Sequence, residues 1–293
     1  MTTQTYASPI NVKRTAAFFG AEITGVDLSR PLDTETRSAI ESAWHEYLVL
    51  CFPDQHLTKT QLLAFAENFE GELDDFGHEK TVDPDDHRVL FLSSKPEPGK
   101  KWDGYKQGAH WHSDRSYTPR PATGTFVYAK EVPEVGGDTL FANQYLACET
   151  LSPKLAEIVR TLSGIHSQAN LGHSGVRAPG DVVSAYRKGG SAIHSAVKTH
   201  PATGREALYV GERVRQFVGM TEEESRPLVE VLNRHAVRHE FLYRHRWRVD
   251  DLVMWDNRAL MHYAPLDYDP QTQPRFMWRC SLVGPRTGED VPS

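Results

Sequence analysis

Short runs rich in β-branched and aromatic residues, bounded by Gly, Pro, Asp or Asn, recur through the chain: Thr125 to Ala129, Thr139 to Phe141, Ala207 to Val210, Glu240 to Trp247, Leu252 to Trp255 and Phe276 to Val283. Such side chains pack well on a pleated surface and the flanking residues favour turns, so each run predicts a strand. Several strands of this kind point to a mainly β fold, a sandwich or jelly roll. Helical signals flank them. Asp33 or Thr34 can cap a helix whose Ile40, Ala43 and Tyr47 share a face, and Leu48 to Phe52 then reads as a strand stopped by Pro53. Thr58 and Gln61 form a capping-box pattern ahead of Leu62, Phe65, Ala66 and Phe69 at helical spacing. Ser152 and Pro153 open a third helix carrying Leu155, Ile158, Val159 and Leu162. Thr221 with Glu224 opens a fourth, whose first turns Pro227 is expected to make irregular. Leu171 to Ala196 has five glycines and little periodicity, which predicts a long loop and a lid around 166–196.

The 293 residues contain no internal repeat and no Pro/Gly-rich linker, so one domain over 1–293 is expected. Lys and Arg number 33 against 39 Asp and Glu, a net charge of −6, which argues against a broad nucleic-acid surface; any anion must be held locally. No apolar run approaches the roughly 18–20 residues of a membrane span, and the start lacks a signal-peptide core, so a cytoplasmic protein without membrane contact is expected. Cys51, Cys148 and Cys280 are widely separated, which suits buried small hydrophobes better than a disulfide framework or a metal site.

In GAHWHSDRSY, His112 and Asp114 stand one residue apart, so on extended backbone both side chains point the same way and can meet one cation. Alone, that pair reads more readily as an ordinary surface interaction. His262, in VMWDNRALMHYAP just beyond a strand-like run, changes the balance. Two histidines and one carboxylate make the facial triad that leaves open positions on non-haem Fe(II). Downstream, Arg275 and Arg279 have the same parity in PRFMWRCSLV and lie roughly 13 Å apart along a strand, able to face one interior. They read either as ion-paired strand arginines or, beside the triad, as forks for a dicarboxylate co-substrate. Thr139, beside the Gly-Gly turn of EVGGDTLFAN, can complete such a carboxylate pocket.

WHSD, GGDTLF, THPATGREALYVG, WDNRALMH and the closing arginine strand, with the opening GAEITGVDLSRPL, occur in an order that resembles the taurine/2-oxoglutarate dioxygenase family. That family includes 2,4-dichlorophenoxyacetate, aryloxypropionate and alkylsulfate dioxygenases. The resemblance covers nearly the whole chain. It implies a double-stranded β-helix (jelly roll) with flanking helices, Fe(II) held by His112, Asp114 and His262, and 2-oxoglutarate and O2 as co-substrates. It also implies that Thr139 and Arg275 hold the distal carboxylate of 2-oxoglutarate, with Arg279 near its C1 carboxylate and the substrate anion. Halogenases related to this family lack the carboxylate ligand, so Asp114 disfavours halogenation.

The implied reaction hydroxylates a C–H bond of a small anionic organic substrate while 2-oxoglutarate yields succinate and CO2. C–O or C–S cleavage follows where the hydroxylated carbon bears an O-aryl, O-sulfate or sulfonate group. Desaturation, ring formation or amino-acid hydroxylation is the alternative within the family, and a non-catalytic metal-binding sensor module the alternative outside it. Substrate candidates are His78, Tyr105, Arg115, Tyr117 and Arg213, each also readable as a structural or solvated group. The resemblance further suggests a homodimer or homotetramer.

Overall fold

The computed structural model of the protein describes residues 9–77, 81–94, 108–168 and 190–291. Strands β1 (Asn11–Arg14), β2 (Ala21–Thr24), β3 (Val49–Phe52), β4 (Glu72–Leu73), β5 (Leu90–Ser93) and β6 (Ala122–Glu131) are interleaved with helices α1 (Thr34–Tyr47) and α2 (Lys59–Ala66). β7 (Thr139–Asn143) leads through α3 (Gln144–Glu149) and α4 (Pro153–Arg160) to β8 (Ser163–Ser167), β9 (Ser191–Ser195), β10 (Val197–Thr199), β11 (Glu206–Leu208) and β12 (Val214–Phe217). After α5 (Glu222–Ala236) come β13 (Leu242–His245), β14 (Leu252–Asp256), β15 (Leu260–Tyr263), β16 (Phe276–Val283) and β17 (Glu289–Asp290). The fold is mainly β with flanking helices.

The largest sheet runs β1-β2-β3-β14-β6-β16-β4, with β5 also on β16. Smaller sheets have the orders β13-β7-β15, β12-β8-β9-β17 and β10-β11. Strand parity explains how the layers stack, because successive side chains leave opposite faces. One face of the large sheet, with Leu50, Phe52, Phe126, Tyr128, Leu252 and Met254, packs on Ile40 and Trp44 of α1 and Leu62, Phe65 and Ala66 of α2. The alternate residues Val49, Cys51, Val127, Ala129, Val253, Trp255 and Met277 meet Phe141, Tyr243 and Leu260 of the three-stranded sheet. Ala142 and Met261, on the far face of that sheet, pack with α3, α4 and α5. The interior between the first two sheets is therefore where Thr139, His262, Arg275 and Arg279 point, by the same parity.

The helix starts follow the sequence signals. Asp33 accepts from Thr36 N, and both reciprocal bonds of the capping box are made at Thr58/Gln61 and at Thr221/Glu224. Three expectations are corrected. α5 runs unbroken through Pro227, because the carbonyl deprived of its helix donor belongs to exposed Glu223, where water can serve it. Ile158 is half exposed, and α4 buries Ala156 and Val159 instead. The span expected to be a lid is strand at both ends, with Ser167 paired to Ser191 across β8 and β9, while 169–189 lies outside the described residues.

Candidate metal and anion site

Two distant segments meet through reciprocal backbone bonds: His112 N donates to His262 O (3.2 Å) and His262 N to His112 O (2.9 Å). This bridge ties the segment before β6 to β15 and brings the two imidazoles to a ring separation of 4.2 Å. Extended backbone then turns Ser113 away, its hydroxyl donating to Leu260 O (2.7 Å), and returns Asp114 to the side of His112. Asp114 Oδ1 lies 3.6 Å from His112 Nε2 and 3.8 Å from His262 Nε2. All three residues are buried.

The donor set suits a divalent metal. His112 Nδ1 is 2.8 Å from His110 O and can bond it only as N–H, which leaves the Nε2 lone pair facing Asp114. Burial, with His112 alongside, holds His262 well below the usual imidazole range, so it is neutral and able to donate a lone pair to a metal. Burial opposes ionisation of Asp114, but Arg279, His262 and His112 outweigh it and keep the carboxyl well below its usual range. Thr125 Oγ1 donates to Asp114 Oδ2 (2.7 Å), and Asn257 Oδ1 accepts from Asp114 N (3.1 Å).

The sequence-expected arginines take different positions. Arg279 Nη2 sits 2.9 Å from Asp114 Oδ1 and also donates to Ser281 Oγ (3.2 Å). Arg275 Nε donates to Gly137 O (2.9 Å), and its guanidinium lies 5.7 Å from the Trp247 ring. Trp247 Nε1 in turn donates to Thr139 Oγ1 (3.0 Å), so Thr139 and Arg275 share one neighbour. No carboxylate among the described residues is within ion-pair distance of Arg275, and burial pulls its pKa down to about 10. A desolvated guanidinium without a carboxylate among the described residues can receive an external anion. Arg213, buried, lies 4.8 Å over the Tyr117 ring, and its Nε and Nη1 have no hydrogen-bond partner among the described residues, which gives it the same character. Arg115 departs from expectation: its Nη1 is 2.5 and 2.6 Å from the two oxygens of buried Asp74, so its charge is already met inside the protein. His78 and Tyr105 lie outside the described residues.

Two further groups bring possible metal ligands together, and in both an arginine already occupies the carboxylate. In His45/His200/Asp256, Asp256 holds Arg258 (2.6 Å) and His200 Nε2 (2.9 Å). In Cys51/His245/Asp251, Arg248 is 3.3 Å from Asp251, and burial pushes the Cys51 thiol far up. The three cysteines are free and buried, as their spacing suggests.

The family model described as taurine catabolism dioxygenase TauD, TfdA family matches residues 11–281. The chain belongs to that family. Within the TauD/TfdA family it is 37% identical to the (S)-phenoxypropionate/alpha-ketoglutarate-dioxygenase of Sphingobium herbicidovorans, over 93% of this chain and 94% of that one. It is 31% identical to the alpha-ketoglutarate-dependent sulfate ester dioxygenase of Pseudomonas putida, over 97% and 93%. The crystal structure of a taurine dioxygenase from Burkholderia xenovorans superposes with a TM-score of 0.78 at 32% identity, covering 97% and 95%.

Sequence reasoning missed the residues behind the site. Thr125, Asn257 and Ser281 surround Asp114, and Gly137 and Trp247 seat Arg275 and Thr139.

Proposed function

We propose that this protein is a non-haem Fe(II)- and 2-oxoglutarate-dependent dioxygenase that hydroxylates a C–H bond of a small anionic organic substrate, converting 2-oxoglutarate to succinate and CO2. The observation that carries the reading is the convergence of His112 Nε2, His262 Nε2 and Asp114 Oδ1, in a molecule where Arg275 and Arg213 have no carboxylate partner among the described residues. His112, Asp114 and His262 would hold the iron as a facial triad. Bound there, iron supplies the oxygen activation that no side chain can perform.

The remaining work belongs to the protein. Arg275 and the Thr139 hydroxyl bind the distal carboxylate of 2-oxoglutarate, and Arg279 its C1 carboxylate. Arg213, steadied on the Tyr117 ring, takes the substrate's anionic group, and with it the orientation of the C–H to be oxidised. The relatives named for phenoxypropionate and sulfate esters support a carboxylate or sulfate in that role. Hydroxylation of a carbon bearing an O-aryl or O-sulfate group then leads to C–O cleavage. Arg115 is not retained as a substrate cation; His78 and Tyr105 are. The sheets are read as a double-stranded β-helix forming one domain over 1–293, in a cytoplasmic homodimer or homotetramer with no nucleic-acid or membrane partner.

An anaerobic Fe(II) titration with and without 2-oxoglutarate tests the reading. Wild type is expected to develop the weak visible charge-transfer band of chelated 2-oxoglutarate, and His262→Ala to lack it. A folded, metal-loaded wild type without the band would overturn the assignment and leave a metal-binding module.

A further inference from the structure

Thr125 lies at the centre of β6 on its inner face, with no exposure to solvent. Valine has nearly its shape and suits a strand better, and a buried hydroxyl costs stability unless it is bonded. Here it is fully used. Its Oγ1 donates to Asp114 Oδ2 (2.7 Å), accepts from Asn257 Nδ2 (2.9 Å), and lies 3.3 Å from Ser281 Oγ. Asn257, also buried, closes a ring: its Oδ1 accepts from Asp114 N (3.1 Å) and from Trp255 Nε1 (3.2 Å). One amide therefore grips Asp114 at its backbone directly and at its carboxylate through Thr125.

This arrangement treats the two carboxylate oxygens differently. Oδ2 is tied back to β6, whereas Oδ1 faces both His112 Nε2 and His262 Nε2. Arg279 approaches Oδ1 as well, but a carboxylate oxygen has two lone pairs, so one remains for a metal. We infer that Thr125 and Asn257 are positioning residues that fix the Asp114 carboxylate so that it offers a metal one oxygen only. A second oxygen turned inward would occupy one of the places that 2-oxoglutarate and O2 require. The inference rests on the triad reading and adds to it the device that sets how many donors the triad presents. Removal of partners behind a metal ligand lowers metal affinity by about 10- to 100-fold.

The test uses Co(II) titrated anaerobically into the metal-free protein, followed by its visible absorption, with wild type, His112→Ala, Thr125→Val and Thr125→Ser. Wild type is expected to bind and His112→Ala to lose binding; binding unchanged in His112→Ala would overturn the triad itself, whatever Thr125 does. With the triad upheld, Thr125→Val is expected to bind Co(II) about tenfold more weakly or worse. Its absorption intensity should change because the freed oxygen alters the number of donors, and Thr125→Ser should restore both. Wild-type affinity and spectrum in folded Thr125→Val would overturn the inference. Should that variant not fold, infrared difference spectra of 13C-aspartate-labelled, Mn(II)-loaded wild type decide: a wide splitting of the carboxylate bands supports binding through one oxygen, and a narrow one, from both oxygens, overturns it.

Discussion

Asp256 carries a full charge in a place no water reaches, between His200 Nε2 (2.9 Å) and Arg258 (2.6 Å). Burial works against that charge, but Arg258 and His200 more than compensate and hold the carboxyl far below its usual range. Replacing it by a neutral amide leaves Arg258 uncompensated, so Asp256→Asn is expected to destabilise the fold by about 3–5 kcal/mol. Urea unfolding with an unchanged slope checks this; a midpoint equal to wild type would refute it. Arg275 makes the opposite case, a largely desolvated cation that the described residues leave without a carboxylate. Arg275→Ala is expected to weaken anaerobic 2-oxoglutarate binding to the metal-loaded protein by about 30-fold or more, in the range for losing one partner of a desolvated charge pair. Arg275→Lys should recover only part, because a point charge replaces a planar fork. Equal affinity in all three proteins would remove Arg275 from the co-substrate site.

At the scale of elements, the Gly-Gly turn before β7, held by Asp267, seats Arg275, proposed to bind the co-substrate. Gly136 and Gly137 have φ of 82° and 68°, and a Cβ on Gly136 would stand 2.5 Å from Asp267 O. Gly137 receives Arg275 Nε on its carbonyl and donates its N–H to Asp267 Oδ1 (2.8 Å), while a Cβ there would press on Pro133 and Arg275 Cδ. Gly137→Ala is therefore expected to cost about 1–3 kcal/mol in stability through backbone strain. It should also raise the 2-oxoglutarate KM while leaving Co(II) affinity alone, since the triad is built on other segments. A parallel loss of metal affinity would show that the turn supports the whole site. The elements legible in the sequence were those whose signal is local. Capping boxes at Thr58 and Thr221 and the apolar run of β16 depend on neighbours within a few residues. β1, with every residue exposed, exists through pairing with β2, and β8 and β9, whose Ser-Gly-Ile-His-Ser and Ser-Ala-Ile-His-Ser carry little apolar alternation, through pairing with each other and of β8 with the more distant β12.

For the molecule as a whole, the meeting of His112, Asp114 and His262 was legible because these residue types are rare in combination, whereas the hydrogen-bond ring behind them was not. Thr125 and Asn257 are 132 positions apart, and only the antiparallel pairing of β6 with β14 brings them together. The same long-range assembly creates a titrating group that no local pattern marks. Lys198 of β10 reaches His194 Nδ1 (2.9 Å) of β9 and Thr287 Oγ1 (3.2 Å) near the C-terminal strand, and lies 4.0 Å over the Tyr209 ring. Burial lowers its pKa from 10.5 to about 7. Between those values the unfolded chain binds the proton more tightly than the folded one, so this group's contribution to stability rises with pH over that window. It is complete above about 10.5 and lost as pH falls through about 7, where the ammonium is charged in both states. Wild type is therefore expected to gain stability relative to Lys198→Met as pH is raised from 7 to 10, in paired urea titrations at each pH. Other groups titrate there too, among them buried cysteines and tyrosines with raised pKa values, but they are common to both proteins and cancel in the difference. Parallel curves would place the Lys198 amine in water; a widening gap would establish that the junction of β9, β10 and the C-terminal strand closes over it.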